Sequence, residues 1–422
     1  MTLLRSVSIQ DAFRSFAFIT VWTVMVIACD QDKNQGLKPG IWRAEFDVKG
    51  EKVPFNFEVK GKKPTELEVY LLNADERVLL QGVKLEKDSI IIPIELFDAI
   101  LIGKAEDESF NGFLRKNTAT NRGISFQATF GESHRFETNG NEPVADLSGK
   151  WDVEIAEEGS EPEKTVGLFR QEGKKLTGTI MTTTGDYRYF EGVADGNQFF
   201  LSAFSGSSPK LIKGVITDSL NFTAELISAG GKSILKAVRN EKAALADAYS
   251  LTFLKDAKDK FNFTFPDLNE KPVSLNDEKY KNKVVVVTLL GSWCPNCMDE
   301  NAFLSPWYKE NKVRGVEIIG LAFERKDEFN FAKEKLTRFI NRYGIEYDIL
   351  FAGKADKKIA GEKLPQLNAV LSFPTTLLID RQGKVRKIHT GFTGPATGEY
   401  YQEFVKQFNT DIDQLLAEEK II

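Results

Sequence analysis

An unbroken run of apolar residues, most of them β-branched, leads directly into a closely spaced pair of cysteines. The run is KVVVVTLL at residues 283–290, and GSWCPNC follows it at residues 291–297. Such a run is typical of a strand that is buried on both faces of a parallel sheet. Strand-like and helix-like segments then alternate up to a last amphipathic helix. The pattern predicts an α/β domain over residues 262–422 whose core strand delivers Cys294 and Cys297 to the start of a helix.

The spacing of the two cysteines favours thiol–disulfide chemistry. We expect Cys294 at the exposed start of the helix, where unpaired N–H groups and the positive end of the helix dipole stabilise a thiolate. Pro295 presets the backbone of the first helical turn. One turn further on, Cys297 is close enough to attack a mixed disulfide formed at Cys294. We therefore predict that Cys294 attacks, that Cys297 resolves the mixed disulfide, and that this redox-active pair needs no further cofactor.

Two structural interpretations of the pair are weaker. A disulfide across two residues closes so small a loop that it stabilises the fold only slightly. A zinc site needs two further ligands, but the chain has only three cysteines and two histidines, His134 and His389. We predict no metal site.

Residues 262–422 resemble the membrane-associated thiol–disulfide oxidoreductases of the TlpA/ResA type, which have a thioredoxin-like fold. The matching segments are FPDL at 265–268, VSL at 273–275, VVVVTLLGSWCPNC at 284–297 and FPTT at 373–376. A proline that opens a core strand is otherwise awkward, so a cis bond in a tight turn fits the FPTT segment.

The resemblance also implies roles for residues around the cysteine pair. Glu300 stands where the family places a carboxylate that tunes the pair or relays its protons. FPTT stands where the family has a cis-proline loop that faces the disulfide and binds the substrate chain. The substrate-binding residues implied in this way are Trp293, Pro295, Phe373, Pro374 and Thr375.

The sequence departs from the family pattern at three places, one of which is a stretch at residues 353–371 that is longer than in minimal thioredoxins. Ala302 stands where members usually have proline, and Pro306 follows later in the same helix. Thr288 replaces the buried strand carboxylate of ordinary thioredoxins, which leaves Glu300 as the only obvious local proton carrier.

Two other classes of function stay open. A peroxiredoxin-like peroxidase shares the fold and the FPDL and VSL segments, but it needs threonine three residues before the attacking cysteine, where this chain has Gly291. The second alternative is a lipid-anchored binding protein whose redox domain is not essential.

Residues 40–240 change to short alternating stretches between turns, which is typical of all-β meanders. Gly40-Ile41-Trp42 recurs as Gly149-Lys150-Trp151. We predict a tandem repeat of two roughly eight-stranded meander barrels at residues 40–140 and 145–240, followed by a linker at 241–261. The Gly-x-Trp openings resemble those of lipocalin and avidin barrels. We favour interiors filled by side chains, with a structural or docking role.

The N-terminus has the pattern of a processing segment. Residues 16–28 carry no charge, and this run is too short to span a bilayer but has the length of a signal-peptide core. It ends in Val26-Ile27-Ala28-Cys29, which resembles a bacterial lipobox. We predict a lipoprotein signal peptide at residues 1–28, lipidation of Cys29 and a polar tether at 29–39.

These features place the expected protein in the bacterial cell envelope, lipid-anchored to a membrane and facing the periplasm. The expected partners are disulfide-containing envelope proteins, among which the resemblance suggests apocytochromes c, and a membrane or thioredoxin-type reductant in trans. A net charge of −5 offers no basic excess to a nucleic acid, so no nucleic-acid partner is expected.

Overall fold

The structure, a computed structural model, describes residues 36–61, 66–116, 122–157, 159–256 and 260–418. The predicted signal peptide, the lipidation site at Cys29 and most of the tether lie outside these ranges. Within them, no helix has both the length and the apolar character needed to cross a membrane.

The first β region is a single antiparallel sheet. Its strands are β1 Gly40–Val48, β2 Glu51–Lys60, β3 Glu68–Asn73, β4 Glu76–Leu80, β5 Lys84–Glu86, β6 Ser89–Ile94, β7 Ala99–Glu106, β8 Ser109–Lys116 and β9 Ile124–Phe130. Alternate residues of β1 point into the core, so Trp42, Ala44 and Phe46 are buried.

This first sheet does not close into the predicted barrel. Its strand order is β4-β3-β2-β1-β9-β8-β7-β6-β5, and no ladder in the described residues joins β4 to β5. Phe204 from the second β region packs against Phe46 and Phe55, with ring centroids 4.7 and 5.1 Å away. The sheet therefore completes its core with a side chain from its neighbour rather than by closing on itself.

The second β region is a closed barrel. Its strands are β10 Gly149–Glu157, β11 Glu163–Glu172, β12 Lys175–Thr182, β13 Gly185–Asp186, β14 Phe190–Asp195, β15 Gln198–Ala203, β16 Lys210–Ile216, β17 Asn221–Ser228 and β18 Lys232–Arg239. Pairing of β11 with β12 closes the ring. Trp151, Phe199 and Phe222 pack together inside, with Phe222 centroids 4.8 Å from Trp151 and 5.0 Å from Phe199. Aromatic side chains thus fill this interior.

The C-terminal region is an α/β domain. Its strands are β19 Thr264–Pro266, β20 Pro272–Ser274, β21 Val284–Leu290, β22 Val316–Glu324, β23 Asp348–Lys354, β24 Thr375–Ile379 and β25 Val385–Thr390. The α-helices among the described residues are α1 Ala248–Leu251, α2 Pro295–Asn311, α3 Phe329–Tyr343, α4 Lys357–Lys363 and α5 Glu399–Ala417. Short 3-10 turns lie at Glu95–Phe97, Glu278–Tyr280, Lys312–Arg314 and Pro395–Thr397.

The central sheet of this domain has the order β23-β22-β21-β24-β25. The first three strands are parallel, and β24 and β25 run antiparallel to their neighbours. Every residue of β21 is buried, as the β-branched run predicts, and α2 begins five residues after it and continues through Pro306. The predicted fold class, an all-β N-terminal part followed by a thioredoxin-like α/β domain, is confirmed.

Candidate active site

The two cysteines lie at the junction of β21 and α2, and both are free thiols. Cys294 is the N-cap residue of α2, and its Sγ accepts a hydrogen bond from the Cys297 backbone N–H at 3.3 Å. The same thiol donates to the Phe373 carbonyl at 3.2 Å. A sulfur at a helix N-terminus with an N–H aimed at it is held where a thiolate is stabilised.

The expected exposure of Cys294 is wrong. Cys294 is only 5% exposed, and Cys297 is fully buried. The difference arises because the start of α2 faces not only the Phe373 loop but also a hairpin of the second β region, described below.

Burial raises the pKa of the Cys297 thiol well above its usual range, and the adjacent Cys294 and Glu300 raise it further. Cys297 is therefore a thiol at neutral pH, and it needs a proton acceptor before it can act as a nucleophile.

Glu300 lies one helical turn beyond Cys297 on α2 and is buried. Its Oε2 accepts a hydrogen bond from the Thr288 hydroxyl at 2.6 Å, and its Oε1 accepts one from the Thr376 hydroxyl. Thr288 and Thr376 face each other across the β21–β24 ladder. Burial raises the pKa of Glu300 to about 7, although the two hydroxyl bonds oppose the shift. Thr288 thus does not take over the role of a strand carboxylate but anchors the helix carboxylate.

The FPTT segment forms the loop opposite the cysteines, and its Phe373–Pro374 peptide bond is cis. The Phe373 ring lies edge-on to Trp293, with centroids 6.1 Å apart. Thr375 is fully buried, and its hydroxyl donates to the Ser372 carbonyl at 2.8 Å. Trp293, Phe373 and Pro374 therefore lie beside the cysteine pair. The Thr375 side chain instead stabilises the loop through its hydrogen bond to the Ser372 carbonyl.

Glu324 is a second buried carboxylate that the sequence interpretation missed. It accepts hydrogen bonds from the Ser292 N–H at 2.8 Å and the Ser292 hydroxyl at 2.9 Å. Burial raises its pKa to about 7 against the effect of these bonds. Leu290 pairs with Ala322 in the parallel ladder, and this register places Glu324 level with Ser292. A carboxylate at the end of the strand that follows the cysteines is therefore the sequence feature that could have indicated Glu324 as a site residue.

The second β region also contributes to the site, a contribution that no sequence pattern predicts. Arg188 donates to the Pro295 carbonyl at 3.3 Å and pairs with Asp299 at 3.0 Å. Burial raises the pKa of Asp299 to about 7, although Arg188 lowers it. No local pattern marks Arg188, because the contact joins residues more than 100 positions apart.

No group of three or more His, Cys, Asp or Glu side chains in the described part of the chain is arranged to hold a metal ion. The polar groups at the site point to proton transfer and thiol exchange.

Residues 257–388 match the sequence model of the AhpC/TSA family. The chain is 31% identical over 150 residues to the thiol-disulfide oxidoreductase ResA of Bacillus thuringiensis subsp. konkukian, an alignment that covers 36% of this chain and 76% of the relative. ResA of Bacillus subtilis is 29% identical over 189 residues, which cover 44% and 90% of the two chains. A solved thiol-disulfide oxidoreductase from Bacteroides fragilis is 20% identical, with 35% of this chain and 99% of that chain covered and a TM-score of 0.27.

Proposed function

This chain belongs to the ResA-type thiol-disulfide oxidoreductases, and from that premise we propose that it reduces disulfide bonds of proteins in the bacterial cell envelope. The observation that carries the proposal is the asymmetric setting of the two thiols. Cys294 caps a helix and faces the cis-proline loop, whereas Cys297 lies deeper, beside a buried carboxylate whose pKa is raised to about 7.

Reduction begins at Cys294. Its thiolate attacks one sulfur of the substrate disulfide, the substrate S–S bond breaks, and the other substrate sulfur leaves as a thiolate that takes up a proton. The N–H of Cys297 stabilises the charge on Cys294 before the attack. The product of this step is a mixed disulfide between Cys294 and the substrate.

Resolution requires Cys297 to lose its proton. Glu300 in its carboxylate form accepts that proton, and the Cys297 sulfur attacks Cys294 Sγ. The mixed disulfide breaks, the second substrate thiolate leaves, and the Cys294–Cys297 disulfide forms. Two electrons have then passed to the substrate, and a membrane or thioredoxin-type reductant in trans restores the dithiol.

The loop around the pair supplies the substrate contacts. The Trp293 and Phe373 rings lie beside Cys294, and the Phe373 carbonyl next to the cis bond is within 3.2 Å of the Cys294 sulfur. An extended substrate segment that carries a cystine fits such a border. We propose exported proteins, including apocytochromes c, as the substrates.

The N-terminal sequence supports the proposed location. Lipidation of Cys29 anchors the protein to a membrane and leaves the redox domain facing the periplasm. No cofactor beyond the Cys294–Cys297 pair enters the reaction, and no nucleic-acid partner is proposed for a chain of net charge −5.

The peroxidase alternative has less support. The AhpC/TSA match is compatible with it, but Gly291 occupies the position where a peroxidase needs a hydroxyl to polarise the peroxide.

Reduction of insulin by dithiothreitol tests the proposal. The wild-type chain should accelerate it, and Cys297→Ser should accumulate mixed disulfides with insulin that Cys294→Ser does not form. Equal trapping by both variants contradicts the assignment. Faster turnover of peroxide than of insulin favours the peroxidase.

A further inference from the structure

The β12–β13 hairpin of the second β region lies against the start of α2. We call residues 182–188, which include its turn and second strand, the hairpin segment. Gly185 has a φ of 146°, in the region that favours glycine, and a Cβ atom there would lie 1.7 Å from Nδ2 of Asn296. Asn296 stands between the two cysteines, so the hairpin backbone touches the cysteine turn itself.

The hairpin segment also contacts the two loops on the other side of the cysteines. The Ser372 hydroxyl donates to the Thr184 carbonyl at 3.0 Å, next to the cis-proline bond. A Cβ on Gly391 would lie 2.7 Å from the Thr184 carbonyl carbon. Asp186 accepts the Gly394 N–H at 2.8 Å. The segment therefore spans the cysteine turn, the cis-proline loop and the loop that follows β25.

An ion cluster fastens this arrangement. The Arg188 guanidinium pairs with Glu76 of β4 at 2.6 Å and with Asp299 of α2 at 3.0 Å. The side chains of Arg188, Glu76 and Asp299 are 16%, 7% and 14% exposed, so water screens the cluster weakly. Its three members come from the three regions of the fold, and Arg188 belongs to the hairpin segment.

We propose that the hairpin segment determines the substrate specificity of the reaction by covering the groove in which a substrate chain binds. The inference rests on the function proposed above. Both kinds of disulfide must reach the Cys294 sulfur, which the hairpin segment helps to bury, but a small disulfide needs only a narrow opening there. A polypeptide disulfide also needs room for its backbone between the cysteine turn and the cis-proline loop, and Thr184 and Gly185 occupy that space. It therefore reacts only when the hairpin segment moves away.

The proposal predicts which variants change the preference between substrates. Arg188→Ala removes the side chain that ties the hairpin segment to β4 and α2. It should raise the rate of insulin reduction by about tenfold, because a destabilised closed state increases the fraction of open molecules. The rate with oxidised glutathione should rise less than the rate with insulin, because a small disulfide needs a smaller opening to reach Cys294. Arg239→Ala is the matched control, since Arg239 is also partly buried in the second β region but bonds to the Ser148 and Asp146 carbonyls, away from the cysteines.

The experiment compares the two rates for wild type, Arg188→Ala and Arg239→Ala in the full chain. An insulin-to-glutathione rate ratio that rises only in Arg188→Ala supports the proposal. A ratio that is unchanged or falls in Arg188→Ala overturns it, and a fall would mean that the segment helps to bind substrate. Wild type that reduces neither disulfide overturns the proposed function instead.

A second measurement does not depend on the folding of Arg188→Ala. Hydrogen exchange of residues 182–188 is compared in Cys297→Ser before and after it forms the mixed disulfide with insulin. The amides should lose protection at least about tenfold in the mixed disulfide. Unchanged protection there, with the insulin chain attached to Cys294, overturns the proposal.

Discussion

Replacement of Glu300 by glutamine isolates the proton-transfer step of resolution. Glutamine keeps the shape of the side chain and still satisfies the Thr288 and Thr376 hydroxyls, but it carries no charge and accepts no proton at neutral pH. We expect Glu300→Gln to form the mixed disulfide at a rate close to that of wild type and to resolve it more slowly.

Two effects of the substitution on Cys297 oppose each other. Loss of the Glu300 charge removes one of the causes that raise the pKa of Cys297, which favours its thiolate. Burial is the largest cause, however, and the neighbouring Cys294 acts more strongly than Glu300. Cys297 therefore remains a thiol at pH 7, and loss of the acceptor dominates. General-base catalysis is worth on the order of 10²–10⁴-fold, so resolution should slow by about 10²-fold or more.

The pH dependence gives a sharper signature. Because burial raises the pKa of Glu300 to about 7, about half of the molecules carry the carboxylate at pH 7 and about a tenth at pH 6. The wild-type resolution rate should therefore fall about fivefold between pH 7 and pH 6, and the rate of Glu300→Gln should not show this pH dependence.

Single-turnover quenched-flow with a peptide disulfide measures the lifetime of the mixed disulfide. Glu324→Gln is the control, since burial raises the pKa of Glu324 to about 7 as well, but its carboxylate bonds to Ser292 rather than to the strand threonines. The resolution rate of Glu324→Gln should keep the wild-type pH dependence near pH 7. An unchanged lifetime in Glu300→Gln, or a pH dependence that disappears only in Glu324→Gln, would mean that Glu300 is not the proton acceptor.

Three further predictions concern stability and anchoring. Folding raises the pKa of Glu300 from 4.5 to about 7, so protonated Glu300 stabilises the fold below pH 4.5 and this stabilisation is lost as the pH rises to about 7. In wild type the free energy of unfolding should therefore fall by up to about 3 kcal/mol over this range, and urea titrations of Glu300→Gln should not show that fall. Trp151→Ala should lower the free energy of unfolding by about 3–5 kcal/mol, because the side chain is fully buried in the second barrel, and a loss below about 1 kcal/mol would contradict a filled interior. Cys29→Ser should release the protein into the soluble envelope fraction or leave an uncleaved precursor, and a processed variant that stays on the membrane would disprove lipidation.

The local parts of this structure were predictable. The β-branched run before Cys294 has no polar residue to place on a solvated face except Thr288, so it specifies a buried strand, and a helix must begin at the Cys-Pro step. Glu300 at one helical turn from Cys297 follows from the 3.6-residue period.

The long-range parts were not predictable in the same way. The exposure of Cys294 depends on Thr184 and Gly185 of a separate region, which contact Ser372 and Asn296 on either side of the cysteine. No sequence pattern near Cys294 indicates these contacts. The open first sheet depends on Phe204, which fills its core from outside. The repeat pattern along the chain predicts the strands. It does not show whether the two edge strands of a sheet pair with each other to close a barrel or leave the sheet open to pack against a neighbouring region.

The reduction potential of the Cys294–Cys297 pair decides whether the protein reduces or oxidises its partners. A strongly oxidising pair requires a stabilised dithiol form. Here burial, Cys294 and Glu300 raise the pKa of Cys297, so ionisation of this thiol does not stabilise the dithiol form, and we expect the pair to be a reductant. Equilibration of the mature chain with glutathione buffers, followed by alkylation and mass spectrometry, should give a single two-electron transition below about −200 mV. A potential of about −120 mV would mean that the protein oxidises its partners, and it would rule out the proposed reductase activity.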